Sequence, residues 1–179
     1  MELMITLAVA AILTVIAIPS FKNITLSNRL STTANNLVDS INSARMEAVK
    51  RNNWAQFCSN TAANNGADTL GAACKGSTVT YPAGAVVLME DSTTNTTYVA
   101  QQGTDKLTSP LQVSGTIKAI RFDGQGLGHA IGATGAMSGV MTDTVADICT
   151  SELATNNHRV ISITTGTIVT TTTTTGSCP

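Results

Sequence analysis

Residues 1–51, MELMITLAVAAILTVIAIPSFKNITLSNRLSTTANNLVDSINSARMEAVKR, decide the architecture. Met1 to Ile18 carries one charge, Glu2, and is otherwise almost wholly apolar. As a helix it spans about 27 Å, close to the hydrocarbon core of a bilayer. Thr6 and Thr14 are tolerated there because their hydroxyls bond back to helix carbonyls. A cleavable signal peptide fits less well: an acid stands ahead of the apolar run, no small-x-small site ends it, and the helical pattern continues past Ile18. Pro19 removes a backbone donor and clashes with the preceding turn, which predicts a kink or a local melt. Beyond it, Leu30, Ala34, Leu37, Ile41, Ala44 and Ala48 recur at intervals of four and three, one apolar stripe on an amphipathic helix. Asn28, Asn35, Asn36, Asp39, Asn42 and Glu47 occupy the other face, Lys50 and Arg51 suit the C-terminal dipole, and Asn52-Asn53 is the expected stop. The expected division is a membrane or filament-core stem over 1–19, an amphipathic half over 20–53 packed on a domain, and a β-rich globular domain over 54–179.

The domain must build its core mainly from Val, Ile, Leu and Ala, because aromatic content is 3%. From Asn53 onward five Lys or Arg face eight Asp or Glu, a net charge of −3, which does not favour nucleic acid. The four cysteines, Cys58, Cys74, Cys149 and Cys178, show no Cys-x-x-Cys spacing. Their even number suggests two disulfides in an oxidising compartment, Cys58 with Cys74 and Cys149 with Cys178, each contributing about 3 kcal/mol. The alternative is four buried thiols, for which Cys178, beside the C-terminus, has little to pack against.

After Asn53 the pattern turns to short strands. Ala85–Met89 and Thr96–Ala100 read as a hairpin, with Glu90-Asp91 in the turn. Thr116–Phe122 alternates, with Ile120 and Phe122 on one face and Arg121 on the other, and Asp123-Gly124 reads as a turn. Arg159–Thr164 is a further strand, Gly166 a turn, and the threonine run 170–175 an exposed edge strand. The segment from Gly124 to Gly139 holds six glycines without a phosphate-binding pattern and reads as a flexible loop. The predicted class is α+β: a long helix on a mostly antiparallel sheet. His129 and His158 lie in no nucleophile, zinc or acid–base motif and are expected to be solvated. No constellation supports an enzyme, a cofactor or a metal site.

The opening Glu2-Leu3-Met4-Ile5-Thr6-Leu7-Ala8-Val9, with Pro19 seventeen residues after the glutamate, resembles the N-terminus of type IV pilins and type II secretion pseudopilins. Ser43-Ala44-Arg45-Met46-Glu47-Ala48, and more loosely Ile120-Arg121-Phe122-Asp123-Gly124-Gln125-Gly126, resemble the GspH/FimT branch. The resemblance implies a structural subunit with a single-pass stem in the bacterial inner membrane, a periplasmic domain, other pilin or pseudopilin subunits as partners, and an extracellular place once in a pilus. It also implies processing by a prepilin peptidase, with a basic leader and a methylated phenylalanine ahead of Met1. Glu2 and Pro19 become assembly residues. On cost alone, a carboxylate at membrane depth (about 3 kcal/mol) either finds a partner or sits wet at the interface. The resemblance supplies a partner, the N-terminal amine of a neighbouring subunit.

Three functions compete: a minor pilin of a type IV pilus, a type II secretion pseudopilin, and a DNA receptor for natural transformation. Some FimT-type members have the last role and carry Gly-Arg-x-Arg near the C-terminus, where this sequence reads Gly166-Thr167-Ile168-Val169. The cations left for DNA are Lys118, Arg121, His158 and Arg159, with no aromatic cluster beside them, so nucleic acid is an unfavoured partner.

Overall fold

The computed structural model describes residues 2–74, 83–91, 94–103 and 107–179, without the side chains of residues 8, 13–20 and 91. The apolar stripe is the buried face of α1 (Glu2–Arg51), a helix of 50 residues. Leu30, Ala34, Leu37, Ile41, Ala44 and Ala48 are all buried, and Leu26 extends the stripe one turn towards the N-terminus. The backbone stays helical across Pro19, so the expected local melt is absent: the missing donor is a single rung in a ladder held by long helix on both sides. The helix stops where its sequence turns to Asn52-Asn53. Asn52 adopts φ 49°, its amide donates to Val49 O, and the Asn53 amide reaches back to Ala48 O, the paired bonds of a Schellman cap.

Two antiparallel sheets receive the helix. The elements after α1 are β1 (Ala55–Phe57), the short helices α2 (Ala62–Asn65) and α3 (Thr69–Ala73), β2 (Val86–Asp91), β3 (Thr96–Gln101), β4 (Gln112–Val113), β5 (Ile120–Phe122), β6 (Gly128–Ile131), β7 (Met137–Val140), β8 (Asp143–Cys149), β9 (His158–Thr164) and β10 (Ile168–Thr174). The first sheet has the order β3-β2-β1-β5-β6-β7 and the second β10-β9-β8-β4. α1 lies against β1, β2 and β5 of one and β8 and β9 of the other. Its stripe meets Phe57, Val86, Leu88, Ile120 and Phe122, then Val145, Ile148, Ile161 and Ile163. The alternate residues of β2, Val87 and Met89, pack on the other side against Cys58, Leu70, Cys74 and Ala85. That is why Ala85–Met89 is apolar at every position rather than alternating: both faces of the strand are covered.

The expected hairpin is β2–β3 and the threonine run forms β10 at the edge of the second sheet. Three local readings need correction. Gly124–Gly139 is not a flexible loop, because it contains β6 and β7. Its glycines serve close approach instead. Gly128 donates to Gly166 O, Gly166 to Met141 O and Met141 to Gly128 O, which joins the two sheets. A Cβ on Gly166, whose φ is 66°, would stand 2.5 Å from Gly128 O. Glu90-Asp91 closes strand β2 rather than making the turn, since β3 continues the pairing to Asp91↔Thr96. His129 and His158 are strand residues, not solvated ones. His129 Nε2 lies 3.1 Å from Asp123, and His158 is buried with Nδ1 2.9 Å from Asp147.

Candidate assembly surface

Most of the large apolar side chains that α1 exposes fall in its first half, with Met46 and Val49 exposed in the second. Leu3, Met4, Ile5, Leu7, Val9 and Ile12 are all more than half exposed, and Phe21, at 73%, and Ile24 continue the series. Among the described side chains of the helix, Leu26 is the first that is buried. A soluble monomer rarely presents so much contiguous apolar surface without a partner for it. Glu2 is exposed and forms no ion pair among the described residues. Pro19 lies in helical backbone, its side chain being outside the description. Among the described residues no helix is long and apolar enough to cross a membrane. The apolar run from Met1 to Ile18 includes several positions whose side chains are not described.

Polar contacts fix where the stem leaves the domain. Lys22 Nζ lies 2.8 Å from Glu152 Oε2. One turn further, the Arg159 guanidinium donates to Ser27 Oγ and Ser31 Oγ on the helix and to the carbonyls of Asn156 and His158. Arg159 is thus a strut between β9 and α1, and it is buried.

Arg121 is also committed. It points from β5 away from Ile120 and Phe122, as its alternation requires, but into protein rather than solvent. Arg121 Nη1 and Nη2 donate to the two carboxylate oxygens of Asp68 at 2.7 and 2.9 Å, and Nη1 also donates to Gly135 O. Gln56, opposite Arg121 in the β1–β5 register, accepts from the guanidinium through Oε1 and donates through Nε2 to Asn65 O. Asn65 in turn accepts from the Ser59 amide and donates to Ser59 O and Thr61 O. Asp68, which also caps α3 by accepting from the Gly71 amide, sits in the loop closed by Cys58–Cys74. Gln56, Ser59 and Asn65 are fully buried, so the network must be complete to be tolerated. Composition and periodicity did not reveal it, because its members come from β1, the disulfide loop and β5. The one available signal was a lone arginine in an otherwise apolar strand.

Both expected disulfide pairs are formed. Cys58–Cys74 and Cys149–Cys178 have Cα–Cα distances of 5.6 and 5.7 Å. The second ties the C-terminus to β8. Of the four cations considered for DNA, Arg121 and Arg159 are buried in hydrogen-bonded positions, His158 is buried against Asp147, and Lys118 is paired with Asp143. A phosphate backbone finds no free cluster among them, because each side chain already has anionic or carbonyl partners at contact distance. The Lys118 ammonium and the Thr144 amide hold the Asp143 carboxyl below its ordinary value. Burial works against ionisation of Asp123, but hydrogen bonds from the Leu127 amide, the His129 ring and the Gln125 amide outweigh it and lower its pKa. No group of three or more His, Cys, Asp or Glu side chains able to hold a metal occurs among the described residues.

The sequence pattern of the family described as type II transport protein GspH matches residues 33–171. The chain belongs to the GspH family. The match begins in the buried half of α1 and ends in β10, so it spans the helix-on-two-sheets unit. GspH proteins are structural, pilin-like subunits and not enzymes, which agrees with a molecule whose buried polar groups serve packing. They are membrane-associated periplasmic proteins that assemble with other pseudopilin subunits, a setting that suits two disulfides. No curated protein matches the chain. No solved structure matches it either.

Proposed function

We propose that this chain is a minor pilin: a structural subunit of a type IV pilus that enters the filament through the first half of α1. The observation that carries the reading is the division of that helix. Among the described side chains, those before Leu26 include a run of exposed large apolar groups, while from Leu26 onward one apolar stripe of the helix is part of the domain's own core. Such a stem suits two apolar environments in turn, the inner membrane before assembly and the helix-packed filament core afterwards. In the core Glu2 meets the N-terminal amine of a neighbouring subunit, a partner this chain's own described residues do not supply. Pro19 marks the point at which the stem yields when it leaves the membrane.

A second reading, a pseudopilin in the shorter filament of type II secretion, is favoured by the description of the matched family. One strain decides between them. Deleting the gene and measuring both sheared surface pili and secreted type II substrates separates the two. Loss of pili with normal secretion supports the minor pilin; normal pili with retained secretion substrates supports the pseudopilin. If both are normal and a tagged chain is absent from every filament fraction, the structural-subunit proposal fails. A DNA-uptake role finds no support in the cations, which are spent on Asp68, Asp143, Ser27 and Ser31.

A further inference from the structure

The side of α1 turned away from its buried stripe carries two apolar patches. Phe21 and Ile24 form the first, 73% and 55% exposed, and Met46 and Val49 form the second, 64% and 49% exposed. Between them the same side reads Asn28, Thr32, Asn35, Asp39 and Asn42, all polar and all exposed. Phe21 to Met46 and Ile24 to Val49 are each 25 residues apart. That interval is about seven helical turns, so the second patch repeats the first on one face of the helix, about 38 Å further along its axis.

Two charges repeat nearly the same interval. Glu2 and Arg29 are both exposed, and neither forms an ion pair among the described residues. They are 27 residues apart on one unbroken helix, about 40 Å along its axis. Leu3 and Asn28 also lie on the outward side, again 25 residues apart. Glu2 precedes the first and Arg29 follows the second, so the two charges flank that side on its opposite edges. When two parallel helices face each other, opposite edges come together.

We infer that the Met46–Val49 patch is the docking site for the Phe21–Ile24 patch of a second copy, the two helices running parallel and shifted by about 38 Å. The inference rests on the filament reading but not on which filament the chain serves. Both copies leave one membrane, so their helices run the same way, and a shift along the axis is the relation that lets two unlike patches of one chain meet. The same shift brings Glu2 of the displaced copy to the level of Ser27, two residues from Arg29 and on the same edge of the contact. A carboxylate has acceptor room for this guanidinium as well as for the amine of another neighbour. The contact is heterologous, so it repeats from copy to copy instead of closing. The shift exceeds the hydrocarbon core of a bilayer, about 30 Å, so two copies anchored side by side in the membrane do not make it.

The test is made in a strain lacking the native gene that expresses two differently tagged full chains, one with Phe21→Cys and the other with Met46→Cys. Sheared filaments and membranes are each treated with a mild thiol oxidant. A disulfide-linked dimer carrying both tags is expected in filaments and not in membranes, and neither variant alone should give a dimer. Phe21→Cys beside Asn35→Cys, which lies on the same side at the wrong shift, should give none. Adding Arg29→Glu to both chains sets two carboxylates together and should cut the mixed dimer severalfold, whereas Arg29→Lys should keep it. Filaments that contain both chains without the mixed dimer, an equal dimer with Asn35→Cys, or an equal dimer in membranes would overturn the inference and leave the filament reading standing. A crosslink from position 46 to a different subunit would overturn the second copy as the occupant, and an unchanged yield with Arg29→Glu would overturn the charge pair. Chains absent from every filament fraction would overturn both the inference and the reading it rests on.

Discussion

Arg121 shows at the scale of one residue how a surface-looking charge becomes a structural one. Alternation with Ile120 and Phe122 correctly put it on the opposite face of β5, but could not say that α3 and the Cys58–Cys74 loop cover that face. Those contacts are long-range, and neither Gln56 nor Asp68 lies near Arg121 in sequence. Removing Asp68 leaves a buried guanidinium short of its anion, so Asp68→Ala should cost about 3 kcal/mol or more in urea unfolding. Arg121→Met, which removes the charge and keeps apolar bulk, should cost less than Arg121→Ala; equal losses would show that the packing of the side chain's stem carries none of the cost. Asp123 gives a pH prediction. Its folded pKa is below the unfolded value, so the stability it contributes is present above the ordinary Asp range, near pH 4, and is lost as pH falls through the lower folded value. Asp123→Asn should therefore flatten the acid limb of the unfolding midpoint against pH. An unchanged acid limb would show that the Leu127, Gln125 and His129 bonds do not favour the carboxylate.

Among elements, α1 was the most legible, because a period near 3.6 over twenty residues has few alternative explanations. Every member of the stripe read from the sequence is buried. Ile41→Ala, at a position 1% exposed, should destabilise the domain by about 3 kcal/mol. Met46→Ala, on the exposed face of the same helix, should change stability by less than about 0.5 kcal/mol. Comparable losses at the two sites would mean the helix is not docked by this face. β6 and β7 were illegible for the opposite reason. Their glycines dilute the strand signal, and the pressure selecting them is the crossing of Gly128 with Gly166, a contact between segments almost forty residues apart. β10 was legible from threonine content alone, but its anchoring was not. Replacing Cys149 and Cys178 by Ser should lower stability by about 3 kcal/mol and speed hydrogen exchange in β10 first, since the tie closes at that strand's end. Faster exchange confined to β3 instead would contradict that placement.

The whole molecule is a domain that has taken half of a long helix into its core and left the other half outside. The family match covers the first of these parts, from residue 33, and the assembly proposal concerns the second. The structure also sets where the two separate. Leu26 is buried and Ser27 and Ser31 bond Arg159, so the domain needs the helix from about residue 25 onward, several residues beyond Pro19. The most direct measurement is therefore to express, in a strain lacking the native gene, a tagged chain that starts at Thr25 and keeps its periplasmic targeting, beside the full chain. Each is then followed by cooperative unfolding and by its presence in sheared filaments. The full chain is expected in the filament fraction, while the shortened chain should be soluble, monomeric, cooperatively folded and absent from filaments. A shortened chain that folds equally well and still enters filaments at the level of the full chain would contradict assembly through the N-terminal half of α1.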